Sequence, residues 1–291
     1  MHSLAKKLII GSAQFGLDYG IANSNGIVNT KEIKLILDLA HENNINVLDT
    51  AKAYGNSEKY IGEYLKLTDQ TWNIITKIIN LKSSLVEQIQ DSKMKLSIFP
   101  STILAHSLDL FLNPVFQLNL EKIKNKEFVK SVGVSVYNEE EIKQVLDSKV
   151  EIDIIQIPMN ILDTRLYKCG ILYELKKRDI EIHVRSVFLQ GLFYLSKTQL
   201  EDKFKDVVPY LQKLEFISKD YNLTVAELSL LWLVNLKEIS KVIVGVNNVS
   251  QLKSHIDTLN KNVDFTAFKE ALLISYENEN ILNPALWPAK S

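Results

Sequence analysis

The sequence predicts an α/β fold of the (β/α)8 TIM-barrel type, formed as a single domain over residues 1–291, with an enlarged loop and helical segment after the seventh strand and a C-terminal tail. Three observations lead there. Short apolar runs rich in Ile and Val alternate with longer stretches of helical period, the pattern of repeated strand-helix units in a parallel sheet. Eight such runs can be counted. No Gly-x-Gly-x-x-Gly follows the first of them, which sets aside a doubly wound dinucleotide-binding sheet.

In order, the strands are expected at residues 7–12, 47–50, 72–78, 102–106, 131–136, 154–158, 182–186 and 242–246. Helix starts carry capping residues. Asn29 precedes a run with Ile33, Leu35, Ile36, Leu39 and Ala40 on one side. Asn138 precedes Glu139, Glu140 and Glu141, which places negative charge in a first turn where free N–H groups favour it. Thr224 and Glu227 form a capping-box pattern before the apolar run to Leu236. Residues 187–241 leave room for a lid-like segment and two helices, and a tail from Phe265, with Trp287 between Pro284 and Pro288, is expected to fold over one mouth of the barrel. No linker rich in Pro, Gly or Ser divides the chain.

Charge and cysteine content exclude several classes. The 34 basic and 35 acidic residues leave a net charge of -1, so there is no cationic excess for nucleic acid or for an anionic membrane surface. The lone Cys169 forms no intrachain disulfide and no multi-cysteine metal cluster, and His2, His41 and His255 have no metal-ligand spacing. The early apolar run Leu8-Ile9-Ile10 is too brief for a signal segment or a membrane span, so a cytoplasmic location is expected.

The carboxyl ends of barrel strands are where chemistry is built. Asp49 ends the second predicted strand, Tyr54 follows five residues later, Lys77 lies near the end of the third and His106 ends the fourth. A lysine in an apolar strand needs a partner, and Asp49 on the neighbouring strand is the obvious one. A tyrosine beside that ammonium is expected to have its pKa pushed down toward working pH, as suits a general acid. Taken singly, each residue has an ordinary structural explanation. The set of four at successive strand ends does not.

Asp49-x-x-x-x-Tyr54, Lys77 and His106 resemble the catalytic tetrad of the aldo/keto reductase family. The resemblance extends to the opening Gly11-Ser12-Ala13, to Asn56-Ser57-Glu58, to Gly133-Val134-Ser135-Val136-Tyr137 and to Gln156 in Ile155-Gln156-Ile157. It also covers Arg185-Ser186 with Leu189-Gln190-Gly191, and Gly245-Val246-Asn247-Asn248 with Gln251, the cofactor loops after strands seven and eight. It implies a metal-independent hydride transfer between NADP(H) or NAD(H) and a small-molecule carbonyl substrate, an aldehyde or ketone that includes sugar-like compounds. Asp49, Tyr54, Lys77 and His106 would be catalytic. Gly11, Ser12, Ala13, Asp49, Ser135, Gln156, Arg185, Ser186, Leu189, Gly191, Gly245, Val246, Asn247, Asn248 and Gln251 would bind the cofactor.

Three departures stand against the family pattern. Arg185 replaces the tyrosine that often stacks on the nicotinamide; no Lys or Arg occurs from Gly245 to Leu252, where NADP-dependent members grip the 2′-phosphate; and Ser254-His255 replaces a Glu-Asn pair near the adenine. A catalytically idle, cofactor-sensing barrel of the same family and a Schiff-base aldolase using Lys77 are the alternatives. His183, two residues before Arg185, is expected to point inward and to pack.

Overall fold

The computed structural model describes residues 4–124 and 129–287, so Pro288 and His2 lie outside the described residues. Eight parallel strands close into a barrel in sequence order, β1 (Leu8–Gly11), β2 (Val47–Asp49), β3 (Asn73–Ile78), β4 (Thr102–Ala105), β5 (Ser131–Ser135), β6 (Ile154–Pro158), β7 (Glu181–Arg185) and β8 (Lys241–Gly245), with β8 pairing back onto β1. The expected strands are all present, several of them a residue shorter at the carboxyl end. Ser12 leaves the sheet because its Oγ bonds the Asp49 carbonyl and the chain turns into the short helix Ala13–Gly16. His106 falls just past β4 because Ser107 caps the helix that follows.

The principal helices after each strand are α1 (Thr30–Glu42), α2 (Ser57–Leu65), α3 (Leu85–Leu96), α4 (Pro114–Lys124), α5 (Glu139–Asp147), α6 (Ile171–Lys177), α7 (Val225–Asn235) and α8 (Val249–Leu259). The expected caps form: Asn29 accepts from Glu32 N, Asn138 from Glu141 N, and Thr224 with Glu227 closes a capping box. Between β7 and α7 lie the turn Leu189–Tyr194 and the helices Lys197–Lys203 and Val208–Asp220. The tail folds as Thr266–Ala271, Glu279–Leu282 and the turn Pro284–Leu286, and Pro284 and Ala285 reach the barrel mouth. Among the described residues no helix is long and apolar enough to cross a membrane.

Two packed layers hold this arrangement. The outward strand faces pack on the helices as one continuous apolar core. The interior is filled by a smaller cluster, Ile9, Ile75, Leu104, Ile154 and Ile243, with Val47 against it. Side chains alternate along a strand, so the residue two positions further on faces the same interior, nearer the carboxyl end. Ile9 is thus followed by Gly11, Val47 by Asp49, Ile75 by Lys77, Leu104 by His106, Ile154 by Gln156, and Ile243 by Gly245. Apart from His183 the lower ring is apolar, and the upper ring is glycine or polar. His183 enters the lower ring on β7 and is 3% exposed, with Nε2 3.2 Å from Glu181 and Nδ1 without a partner, so it fills space as expected.

Candidate active site

The upper ring opens into a cavity of about 350 Å³, lined by Asp49, Tyr54 and His106 on one side and by Gly11, Ser12, Ala13 and Gly245 on another. Ser135, Gln156, Arg185 and Ser186 complete its floor and wall. Strand register brings these together: Gly11 is level with Asp49 and with Gly245, and Ser135 with Gln156.

Lys77 lies behind the wall. Its Nζ, on a residue 1% exposed, donates to Asp49 Oδ2 at 2.5 Å and to the Thr50 carbonyl at 3.1 Å. Both ends of the Asp49 carboxylate are engaged, because Gln156 Nε2 donates to Oδ1 at 2.8 Å. The lysine amine is therefore engaged by its carboxylate and by a backbone carbonyl. Burial lowers the Lys77 pKa, Asp49 opposes that shift, and the Arg185 charge adds to it.

Tyr54 stands between this pair and His106. The Lys77 ammonium is 5.1 Å from the centre of the Tyr54 ring, and the rings of Tyr54 and His106 meet edge to face with centroids 6.2 Å apart. The expectation that Lys77 lowers the phenol pKa is not met in this cavity. Burial, followed by the Asp49 carboxylate, raises it, and the Arg185 guanidinium only partly opposes them. The physical reason is that Asp49 cancels the ammonium charge at close range, so desolvation of the phenolate dominates. The group stays protonated through neutral pH.

Backbone packing fixes where Tyr54 sits. Gly55 has φ +52, and a Cβ on Gly16 would lie 1.9 Å from the Tyr54 carbonyl oxygen and 2.6 Å from Ser57 N. Below this contact, Ser57 Oγ donates to Ser12 Oγ at 2.7 Å and lies 3.1 Å from Thr50 Oγ1. Gly16→Ala is accordingly expected to push the Tyr54 turn out of place, costing about 1–3 kcal/mol of stability from overpacking together with a fall in kcat. Thermal melting and steady-state kinetics of this variant check it.

His106 is pushed down to about 4 by burial first and the Lys77 charge second, so it is neutral at pH 7. His255, stacked on Phe188 at 4.7 Å, is also lowered to about 4 by burial. In both cases the unfolded chain binds a proton near pH 6.5 that the folded chain refuses until about pH 4. Stability from these groups is complete above pH 6.5 and is lost as pH falls toward 4. Urea midpoints at pH 7 and pH 5 test this, the lower being expected at pH 5, with a smaller gap in His255→Phe.

Arg185 does not reach across the cavity. Its guanidinium lies over the Tyr137 ring at 4.2 Å, with Nε donating to Ser135 Oγ and Nη2 to the Val136 carbonyl, each at 3.2 Å. In the loop after β7, Ser186, Leu189, Gln190 and Gly191 all have positive φ, a concentration of left-handed backbone that proteins keep at ligand sites. Leu189 is buried in the core and Gly191 packs on Ala22, while Gln190 between them lines the cavity. Val246 is also buried. Asn247, Asn248 and Gln251 are bound to one another at the start of α8: Gln251 Oε1 accepts from Asn247 N, and Asn248 Oδ1 from Gln251 N.

Cavity residues that sequence reasoning did not assign to the site include Gln14, Tyr19, Tyr137 and Gln190, although Tyr137 and Gln190 lie within segments it singled out. Tyr137 follows the Ser135-Val136 pattern and was within reach of that signal. Tyr19 sits in a loop with no periodicity, flanked only by Gly16 and Gly20.

A barrel whose carboxyl-end cavity is lined by Asp49, a protonated tyrosine and a neutral histidine, with Lys77 paired to Asp49 behind its wall, has the features of an oxidoreductase site. The sequence description "Aldo/keto reductase family" matches residues 7–271, and the chain belongs to that family. Such enzymes reduce carbonyl compounds with a nicotinamide nucleotide. The chain is 24% identical to the NADH-specific methylglyoxal reductase of Escherichia coli K12, in a match that covers 79% of this chain and 84% of the relative. Among solved structures it resembles an aldo-keto reductase from Bacillus halodurans in its holo form, with TM-score 0.75, 19% identity and 94% of each chain covered. A thermostable aldo-keto reductase complexed with the inhibitor epalrestat gives TM-score 0.71 at 18% identity, with 92% of this chain and 94% of that one covered.

Proposed function

We propose that this chain reduces a small aldehyde or ketone to the alcohol, with Tyr54 as the proton donor. The observation that carries the reading is the single cavity in which the Tyr54 and His106 rings meet, with the Asp49–Lys77 pair behind them. A reduced nicotinamide, when bound, would supply the hydride for the carbonyl carbon. As charge grows on the carbonyl oxygen, Tyr54 gives it a proton, which burial and Asp49 keep available. Neutral His106 donates a hydrogen bond to the same oxygen without changing charge. Lys77, fixed by Asp49, sets a cation beside the ring that becomes tyrosinate.

The residues fit a dinucleotide. Glycines at 11 and 245 leave one wall flat, and a Cβ at 245 would stand 2.6 Å from the Gln14 amide. Ser135 and Gln156 would hold the nicotinamide end, and the loops 186–191 and 245–251 the phosphates and the adenosine. The relative named for methylglyoxal and NADH supports a compact oxoaldehyde as the first substrate to try and NADH as the nucleotide. The test is NADH and NADPH oxidation against methylglyoxal and a panel of aldehydes, ketones and sugar aldehydes. Turnover is expected. Tight nucleotide binding with no turnover across the panel would favour a cofactor-sensing barrel instead.

A further inference from the structure

The start of α8 already holds a carboxylate. Glu32, from the first turn of α1, crosses to it, and its Oε1 accepts from Val249 N at 2.6 Å. Three further donors at the same end are taken by the chain itself: Asn247 N by Gln251 Oε1 at 2.8 Å, Gln251 N by Asn248 Oδ1 at 2.9 Å, and Leu252 N by the Asn248 carbonyl at 3.4 Å. A helix start normally attracts phosphate because its N–H groups are free and its dipole is positive there. Here a carboxylate has answered both. No Lys or Arg between 245 and 252 restores the positive charge, the first basic residue being Lys253.

One unpaired polar atom on this loop is an acceptor. Asn247 Oδ1 is a buried acceptor with no partner. A buried acceptor is costly to leave unmade, so it calls for a donor, which a ribose hydroxyl or an adenine amine provides and a phosphate ester does not. Two independent features thus agree, a carboxylate on a helix-start N–H and an unpaired acceptor on the adjoining loop.

Resting on the reading of loop 245–251 as the adenosine end of the cofactor site, we propose that Glu32 is a specificity-determining residue that excludes the 2′-phosphate and makes this enzyme select NADH over NADPH. The carboxylate acts by like-charge repulsion and by holding the Val249 N–H, while the bare 2′-hydroxyl can donate to the acceptors present. Glu32 comes from a different strand-helix unit, so the selection is a property of the α1–α8 contact and not of the cofactor loop alone.

Dissociation constants of NADH and NADPH, measured by tryptophan quenching and calorimetry on the wild-type protein and on Glu32→Gln, test this. NADH is expected to bind wild type at least about tenfold more tightly than NADPH, a difference of about 1.4 kcal/mol. In Glu32→Gln the ratio is expected to shrink about tenfold, chiefly because NADPH tightens. Salt gives a second reading on the unaltered protein. Screening weakens repulsion, so the NADPH:NADH ratio of dissociation constants should fall as ionic strength rises, whereas a cationic grip on the 2′-phosphate would make it rise. Equal or tighter NADPH binding by wild type, a ratio unmoved in folded Glu32→Gln, or a ratio that rises with salt overturns the role of Glu32 while leaving the reductase intact. Binding of neither nucleotide by folded protein overturns the cofactor site and this inference with it.

Discussion

Tyr54→Phe is expected to lower kcat/KM for carbonyl reduction by about 10³-fold, the scale of a lost general acid, with nucleotide affinity and melting temperature nearly unchanged. The phenol hydroxyl is the only group removed. The ring stays to pack against His106 and beside Lys77, so the variant retains the contacts that position its neighbours. The measurement is steady-state reduction over pH 6 to 9 alongside a nucleotide titration. A folded variant that turns over like wild type would remove Tyr54 from the chemistry. His106→Gln, which keeps a hydrogen-bond donor near the substrate oxygen, should fall less and chiefly in kcat. Since His106 is already neutral above about pH 4, loss of its proton should not create an inflection near pH 6.5 in the wild-type profile.

Lys77→Met is the second change with a large expected effect, and it acts on stability as well as rate. Asp49 is 3% exposed and would keep only the Gln156 hydrogen bond among its side-chain partners after the lysine is gone. Removing one member of a buried pair typically costs about 3–5 kcal/mol because the other charge is stranded. For a chain of this size that corresponds to a melting temperature lower by about 10 °C. The double variant Lys77→Met/Asp49→Asn removes both charges and should recover much of the loss in stability while staying inactive. That contrast separates the two roles of the pair. A single variant as stable as wild type would show that the carboxylate finds relief elsewhere, by protonation or by water. A double variant no more stable than the single would show that the cost lies in packing.

Much of the fold could be read from the chain because barrel strands write a simple signal. Ile9, Ile75 and Ile243 sit in short apolar runs, and each helix that follows begins with a residue that can cap it. The candidate tetrad was legible for a related reason. An inward polar residue at the carboxyl end of an apolar strand opens onto the barrel mouth, so sequence position alone nearly fixes where Asp49, Lys77 and His106 go. Loop residues carry no such period. Tyr19 and Gln190 enter the cavity through backbone turns, some with positive φ, that apolar patterning does not encode.

The sequence by itself determined the strand count, the alternation that puts an apolar ring beneath a polar one, the family, and the residues offered at the strand ends. Those are local or periodic properties, set by neighbours within a few positions along the chain. The tertiary structure decided how the charges act on one another. Asp49 divides its carboxylate between Lys77 and Gln156, and burial first, with the Asp49 charge second, holds the tyrosine protonated. Arg185 spends its guanidinium on Tyr137 and Ser135. Glu32 meets Val249 across 217 positions of sequence. Electrostatic and desolvation effects fall off with distance in space and with exposure to water, and neither quantity exists until the barrel closes.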